Sequence, residues 1–304
     1  MRTVFVALAL CLPLVGQGQG LREGLYVGLG LGGNGSQAVT FATRSDDRAS
    51  VCDEYINPRA LAVPGCNAPD RGAGDGWRAP FDAGRGFSAE AELGVRWSAR
   101  FRAAVVYAYR STAFDQTVSS TDATGADFDK ISNELAIGEE TLGTVASHEL
   151  FVAGFREWPN RSLWTPYAGA GVGISSTRMD FSYLWARSAD PAEIASGADQ
   201  PNAEEIRRNL AGTVSAGRAV LRDVLAGYVL VAGVERALSE VLTVGVRAQW
   251  KRFEAFESDG YQGDVLRSHA PNLRRDGSEP VHAWSRTRDT GRAAVFLTLR
   301  YSLQ

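Results

Sequence analysis

The sequence predicts an all-β fold, an eight-stranded antiparallel barrel wound up and down that crosses a membrane. Two observations carry that expectation. Eight stretches alternate apolar residues with small or polar ones at period two, the mark of strands with unlike faces. The segments joining them are alternately short and long, so every long one leaves the same end of the sheet.

The first strand lies in "GLYVGLGLGGNG", where Leu25, Val27, Leu29 and Leu31 oppose Tyr26, Gly28, Gly30 and Gly32. Gly30, Gly32 and Gly35 spell a dinucleotide-binding fingerprint, with Glu54 at the distance of the ribose ligand. The residues after Gly35 carry no apolar run at helical spacing, so the helix that would receive a pyrophosphate is missing. These glycines are expected instead to leave space inside a narrow barrel.

"FSAEAELGVRW" sets Phe87 to Trp97 at odd positions against Ser88, Glu90, Glu92, Gly94 and Arg96. In "FRAAVVYAYRS", Phe101, Val105, Tyr107 and Tyr109 oppose Arg102, Val106 and Arg110. The fourth strand, near 142–158, is ambiguous. Phe151 and Phe155 share a parity with Glu149, while Leu150 and Val152 share one with His148, a conflict that a bulge would resolve. "WTPYAGAGVGISS" opposes Trp164, Ala168, Val172 and Ile174 to Tyr167, Gly169, Gly171 and Gly173. The sixth strand sets Tyr228, Leu230 and Val234 against Val231, Gly233 and Glu235. The seventh sets Leu242, Val244, Val246 and Trp250 against Gly245, Arg247, Gln249 and Lys251. The eighth sets Val295, Leu297, Leu299 and Tyr301 against Phe296, Thr298 and Arg300.

Short turns follow the second, fourth and sixth strands. Long polar segments at about 34–86, 115–141, 184–224 and 257–290 follow the odd ones. In a membrane barrel these read as short periplasmic turns and four long extracellular loops. A soluble barrel also alternates, but with its apolar face inside. The membrane is favoured by aromatic residues near strand ends on the apolar face, placed as an interfacial girdle: Trp97, Phe101, Tyr109, Trp164, Tyr228, Trp250 and Tyr301. The strands also supply the roughly 9–11 residues that a tilted membrane strand requires.

Residues 1–20 read as a signal peptide, with Arg2, an apolar stretch from Thr3 to Val15 and small residues at Gly16, Gly18 and Gly20. Cleavage is expected after Gly18 or Gly20. Cys11 follows Leu10, which argues against a lipid-anchored N-terminus. Residues 21–304 then form one barrel domain. Cys52 and Cys66, an even pair in an exported chain, are expected to form a disulfide in the first long loop, worth about 3 kcal/mol by the chain-entropy account. Lys and Arg total 32 against 35 Asp and Glu, a balance that gives no electrostatic reason to expect nucleic acid as a partner. No motif implies a cofactor.

"GLYVGLGLGG", "TPYAGAGVG" and "VFLTLRYSL" resemble the eight-stranded small outer-membrane barrels of the OmpA-transmembrane and opacity-protein type. The resemblance spans nearly the whole chain after residue 20. It implies an integral outer-membrane protein of a Gram-negative bacterium, in contact with outer-membrane lipid, inserted by the barrel-assembly machinery and open to a host or environmental ligand at its loops. Members of that family usually finish on an aromatic residue. This chain finishes Leu303–Gln304, leaving Tyr301 as the terminal aromatic and no room for a peptidoglycan-binding domain behind it.

Face parity sends Glu90, Glu92, Glu149 and Glu235 inward, together with Arg96, Arg102, Arg110, Arg247, Lys251 and Arg300. Eight strands enclose an interior that side chains fill. These charges are therefore expected to meet in a ladder of ion pairs that plugs the lumen. No catalytic or metal site is expected. Ser147, His148 and Glu149 are adjacent, but neighbouring strand residues face opposite ways. Asp122, Asp127 and Asp129, with Asp46, Asp47, Asp53 and Glu54, lack calcium-loop spacing and read as solvated acidic loops. Asn202, Glu205, Ile206 and Leu210 suggest a short capped helix in the third long loop. The leading function is a non-enzymatic surface protein with structural, adhesive or protective loops. A narrow solute channel and a lipid-modifying barrel enzyme are the alternatives.

Overall fold

The computed structural model describes residues 23–45, 51–68, 76–122, 134–160, 162–261, 263–287 and 291–303. The segment read as a signal peptide, Asp46, Asp47, Asp127 and Asp129 lie outside them.

Eight strands close the barrel: β1 (Gly24–Ser36), β4 (Arg85–Ser98), β5 (Phe101–Ser119), β7 (Leu135–Glu157), β8 (Thr165–Arg187), β9 (Val214–Ala237), β10 (Leu242–Phe253) and β13 (Arg292–Ser302). Each pairs antiparallel with its neighbour along the chain, and β1 closes the ring by pairing with both β4 and β13. Closure satisfies every backbone group through the wall, the condition for crossing a bilayer with strands. No helix among the described residues is long and apolar enough to cross a membrane.

Apolar side chains cover the outside. Leu29 is 62% exposed and Leu297 72%, and Leu25, Leu93, Val172 and Val295 lie on the same wall. A soluble protein rarely exposes so continuous an apolar surface. The seven aromatic residues assigned to the girdle all point outward. Trp97, Phe101, Trp164 and Tyr301 lie toward the short turns. Tyr109 and the edge-on pair Tyr228–Trp250, with ring centroids 5.6 Å apart, lie toward the loops. Phe101 and Tyr109 stand eight residues apart on one strand, about 26 Å along its axis. That separation suits the tilted crossing of a hydrocarbon layer.

The long loops are more ordered than their polar composition predicts. β7, β8 and β9 run 23, 23 and 24 residues, so β7 begins at Leu135 and β9 at Val214, well inside segments expected to be loop. Five further strands, β2 (Val39–Ser45), β3 (Trp77–Phe81), β6 (Thr121–Asp122), β11 (Phe256–Tyr261) and β12 (Ala283–Thr287), form a second sheet in the order β11-β12-β2-β3-β6. Its inner face, with Phe41, Ala79, Phe81 and Phe256, packs on Leu142 and Phe181. Phe41 stacks on Phe181 at 4.7 Å. The short repeats Val39-x-Phe41 and Ala79-x-Phe81 carry this sheet, too brief to stand out among Gly, Asp and Arg.

The fourth barrel strand does carry a register shift within the expected range, but not between the residues whose parities conflict. β7 pairs without interruption from Val145 to Glu157, and the register shift lies between Leu142 and Val145. Phe151 and Phe155 simply point inward with Glu149, where cationic side chains cover their rings.

Cys52 and Cys66 are joined by a disulfide, with Cα atoms 5.2 Å apart. The fourth loop clamps this loop. Arg274 donates to the carbonyls of Cys52 (2.6 Å) and Cys66 (3.0 Å), and Arg267 pairs with Asp53 at 2.9 Å. Asp53, expected to be solvated, is fully buried because Arg267, His269 and the Tyr55 amide surround it. Helix α1 (Ala203–Leu210) buries Ile206 and Leu210 against Ile56 and Ile194. The expected cap does not form. The Asn202 side chain makes no cap hydrogen bond and donates instead to Asn57 and Glu205.

Above the membrane belt, Glu140 is fully buried and accepts a hydrogen bond from the Trp77 indole. Burial pushes its carboxyl up to about 8, and the Trp77 and Ser120 side chains offset only part of that rise. The folded form therefore keeps a proton that the unfolded chain releases from the ordinary carboxylate range upward. Stability should fall as pH climbs from there to about 8. Melting curves across that window should show the loss, and Glu140→Gln should flatten it. An unchanged pH profile in the variant would contradict this assignment.

Candidate functional site: the charged lumen

Position in the barrel decides which chemistry each inward residue performs. Inward glycines open the space. Gly28 pairs with Glu92 and Gly30 with Glu90, and a Cβ on Gly30 would stand 2.7 Å from the Glu90 side chain. Of the fingerprint glycines, Gly30 makes room for a carboxylate, whereas a Cβ on Gly32 would meet the Val295 carbonyl. Gly233 does the same for Tyr167, whose hydroxyl would lie 2.6 Å from an added Cβ.

Arg102 occupies the centre of the lower lumen with no exposed surface. Its guanidinium contacts Glu92 at 2.5 Å, Glu157 at 2.9 Å and Glu235 at 3.2 Å, and it donates to the Tyr26 hydroxyl at 3.0 Å. The Phe155 ring lies 4.1 Å from its guanidinium carbon and the Tyr167 ring 4.9 Å. Next to it along the lumen, Arg247 bridges Glu90 (2.6 Å) and Glu92 (2.7 Å) while donating to the Tyr167 hydroxyl at 2.9 Å. Gln249 donates to the second Glu90 oxygen at 2.7 Å. Toward the short turns, Arg96 grips Glu157 at 2.6 Å and Arg300 holds Glu235 at 2.7 Å. Toward the loops, Lys251 pairs with Glu149 at 2.6 Å and Arg292 meets the same carboxylate at 3.2 Å.

The ten charges assigned inward by parity all face the lumen, and nine of them make ion pairs with one another or with Glu157 and Arg292. Arg110 is the exception to the expected ladder. It donates to the Thr112 hydroxyl and the Gly35 carbonyl, because the carboxylate of its tier, Glu149, is already held by Lys251 and Arg292.

Sequence reading missed Glu157 and Arg292 and left Phe151 and Phe155 unplaced, while it set Tyr26 and Tyr167 on the glycine-bearing face without giving them a role. Glu157 shares the parity of Glu149, but the aromatic residues on that face obscured the strand's orientation. Arg292 lies one residue ahead of the apolar alternation that marks the last strand. Ser147 and Glu149 both face inward, and the Ser147 hydroxyl donates to Glu149 at 3.1 Å. His148 faces outward beside the Tyr107 hydroxyl, so these three neighbours do not assemble into a triad.

An apolar wall around a charged, side-chain-filled interior inverts a water-soluble barrel. It defines the class: an eight-stranded transmembrane β-barrel of the outer-membrane type. No protein-family model and no curated protein sequence matches the chain. Among solved structures it is similar to the outer membrane protein OprG from Pseudomonas aeruginosa, with 11% identity, 93% of this chain and 99% of that chain covered, and a TM-score of 0.47. It is also similar to Neisserial surface protein A, with 10% identity, 92% and 97% coverage and a TM-score of 0.39. The outer membrane protease OmpT from Escherichia coli shares 8% identity over 91% and 97% of the chains, with a TM-score of 0.37. The barrel's own geometry defines the class without them.

Removing one partner from a buried ion pair strands the other. Glu92→Gln should therefore lower folded-state stability by about 3 kcal/mol, read as an earlier urea midpoint in micelles. Glu240→Gln, on an exposed turn, should leave the midpoint in place. Equal midpoints for the two variants would contradict a paired lumen.

Proposed function

We propose that this chain is an integral outer-membrane protein whose barrel is a non-conducting anchor and whose work is done by the folded domain that its loops build outside the cell. Residues 1–20 direct export, residues 21–304 form the barrel, and the barrel-assembly machinery inserts it. The observation that carries this reading is the closed path through the centre. Arg102 is completely buried between three carboxylates and three aromatic rings. The apolar layer of Leu142, Phe114 and Met179 lies over the lumen beneath the second sheet. A hydrated ion would have to break several charge-assisted contacts and then cross an apolar layer.

The loop domain supports a binding role over a purely mechanical one. Its disulfide, its second sheet and the Arg274 clamp hold a defined surface, which suits adhesion or protection better than mobile loops do. A host or environmental ligand would dock there. The absence of a shared face for Ser147, His148 and Glu149 supports a non-enzymatic reading.

Refolded full-length protein in a planar bilayer should produce no steady openings. Stable unitary conductance at neutral pH would overturn the anchor reading in favour of a narrow solute channel.

A further inference from the structure

The lumen charges divide into two tiers of different balance. In the lower tier Arg96, Arg102, Arg247 and Arg300 face Glu90, Glu92, Glu157 and Glu235, four cations against four carboxylates. In the upper tier Lys251, Arg292 and Arg110 share Glu149 alone among the described residues. All three cations are buried. Among the described residues two positive charges are thus left without a counter-charge, a situation that costs several kcal/mol per ion unless an anion is present.

The structure provides a place for one. A cavity of about 20 Å³ opens between Arg110 and Arg292, walled by Ser36, Thr112 and Ser147 and roofed by Met179. That volume holds one water-sized species. Arg110 uses Nε on Thr112 and Nη2 on the Gly35 carbonyl, and among the described residues its Nη1 makes no hydrogen bond. Arg292 places Nη1 toward Ser147 and Glu149 and Nη2 toward Thr177 at 3.4 Å, a long contact. Both guanidinium groups line the same small space.

We propose that this cavity is a site for a monatomic monovalent anion, with chloride the abundant physiological occupant. Two guanidinium groups offer their N–H donors to a small spherical anion, while the Thr112 and Ser147 hydroxyl protons are already committed to Asn34 and Glu149. The ion neutralises part of the upper tier and becomes the topmost element of the plug. Phe114, Leu142 and Val145 supply the apolar part of its lining.

Crystals of the full-length protein grown in bromide test the site directly. An anomalous peak between Arg110 and Arg292 is expected, and water-like density without anomalous signal at saturating bromide would overturn the proposal. Unfolding of the refolded protein gives a second readout. With gluconate holding ionic strength constant, the folding constant should approach about a tenfold gain for each tenfold rise in chloride. Arg110→Met should remove that dependence. A folding constant indifferent to chloride in the unaltered protein would count against a bound halide whether or not the variant folds.

Discussion

A guanidinium sealed inside the barrel is the constraint from which the other features follow. Arg102 has no access to water, so it must find its counter-charges within the wall. Glu92, Glu157 and Glu235 come from three different strands to meet it. Only one strand register lets them do so, because a shift of a single residue would turn every one of these charges toward lipid. The ion pairs therefore fix register as much as they add stability. The glycines of the first strand follow from the same constraint, since Gly28 and Gly30 stand opposite the carboxylates that need the space.

The two ends of the molecule use different physics. Within the membrane the apolar groups point outward and the polar ones inward. Above it, the second sheet and the extended β7–β9 strands turn Phe41, Phe81, Leu142 and Phe181 inward, in the manner of a soluble sandwich. The inversion occurs along single continuous strands. β8 carries Val172 and Ile174 outward within the belt, then Arg178 and Asp180 outward beyond it, while Phe181 enters the upper core. The lumen plug and the upper core are stacked, so an ion path is closed twice by unlike means.

The strands of the barrel were legible because lipid on one side and charge on the other give each a strict two-residue period. "LTVGVRAQWK" could be read with no further information. Legibility failed where a face was mixed. Phe151 and Phe155 look like lipid-facing residues, yet they supply the rings beneath Lys251 and Arg102. The second sheet was invisible for a different reason. Its strands are five to seven residues or shorter, and their pairing joins the first loop to the fourth, a contact between segments more than 200 residues apart that no local pattern records. The pairing of individual charges was out of reach as well. Parity gives the face, but the choice of Glu149 by both Lys251 and Arg292, leaving Arg110 without a carboxylate among the described residues, depends on the relative height of the strands.

The central claim is that inward charges act on one another across the lumen, and a double-mutant cycle on Arg247 and Glu90 measures that most directly. These residues lie 157 positions apart in sequence and 2.6 Å apart in space. Unfolding free energies of Arg247→Met, Glu90→Gln and the double variant should yield a coupling of more than about 1 kcal/mol. Additive effects within about 0.5 kcal/mol would place the two side chains apart and contradict the paired lumen.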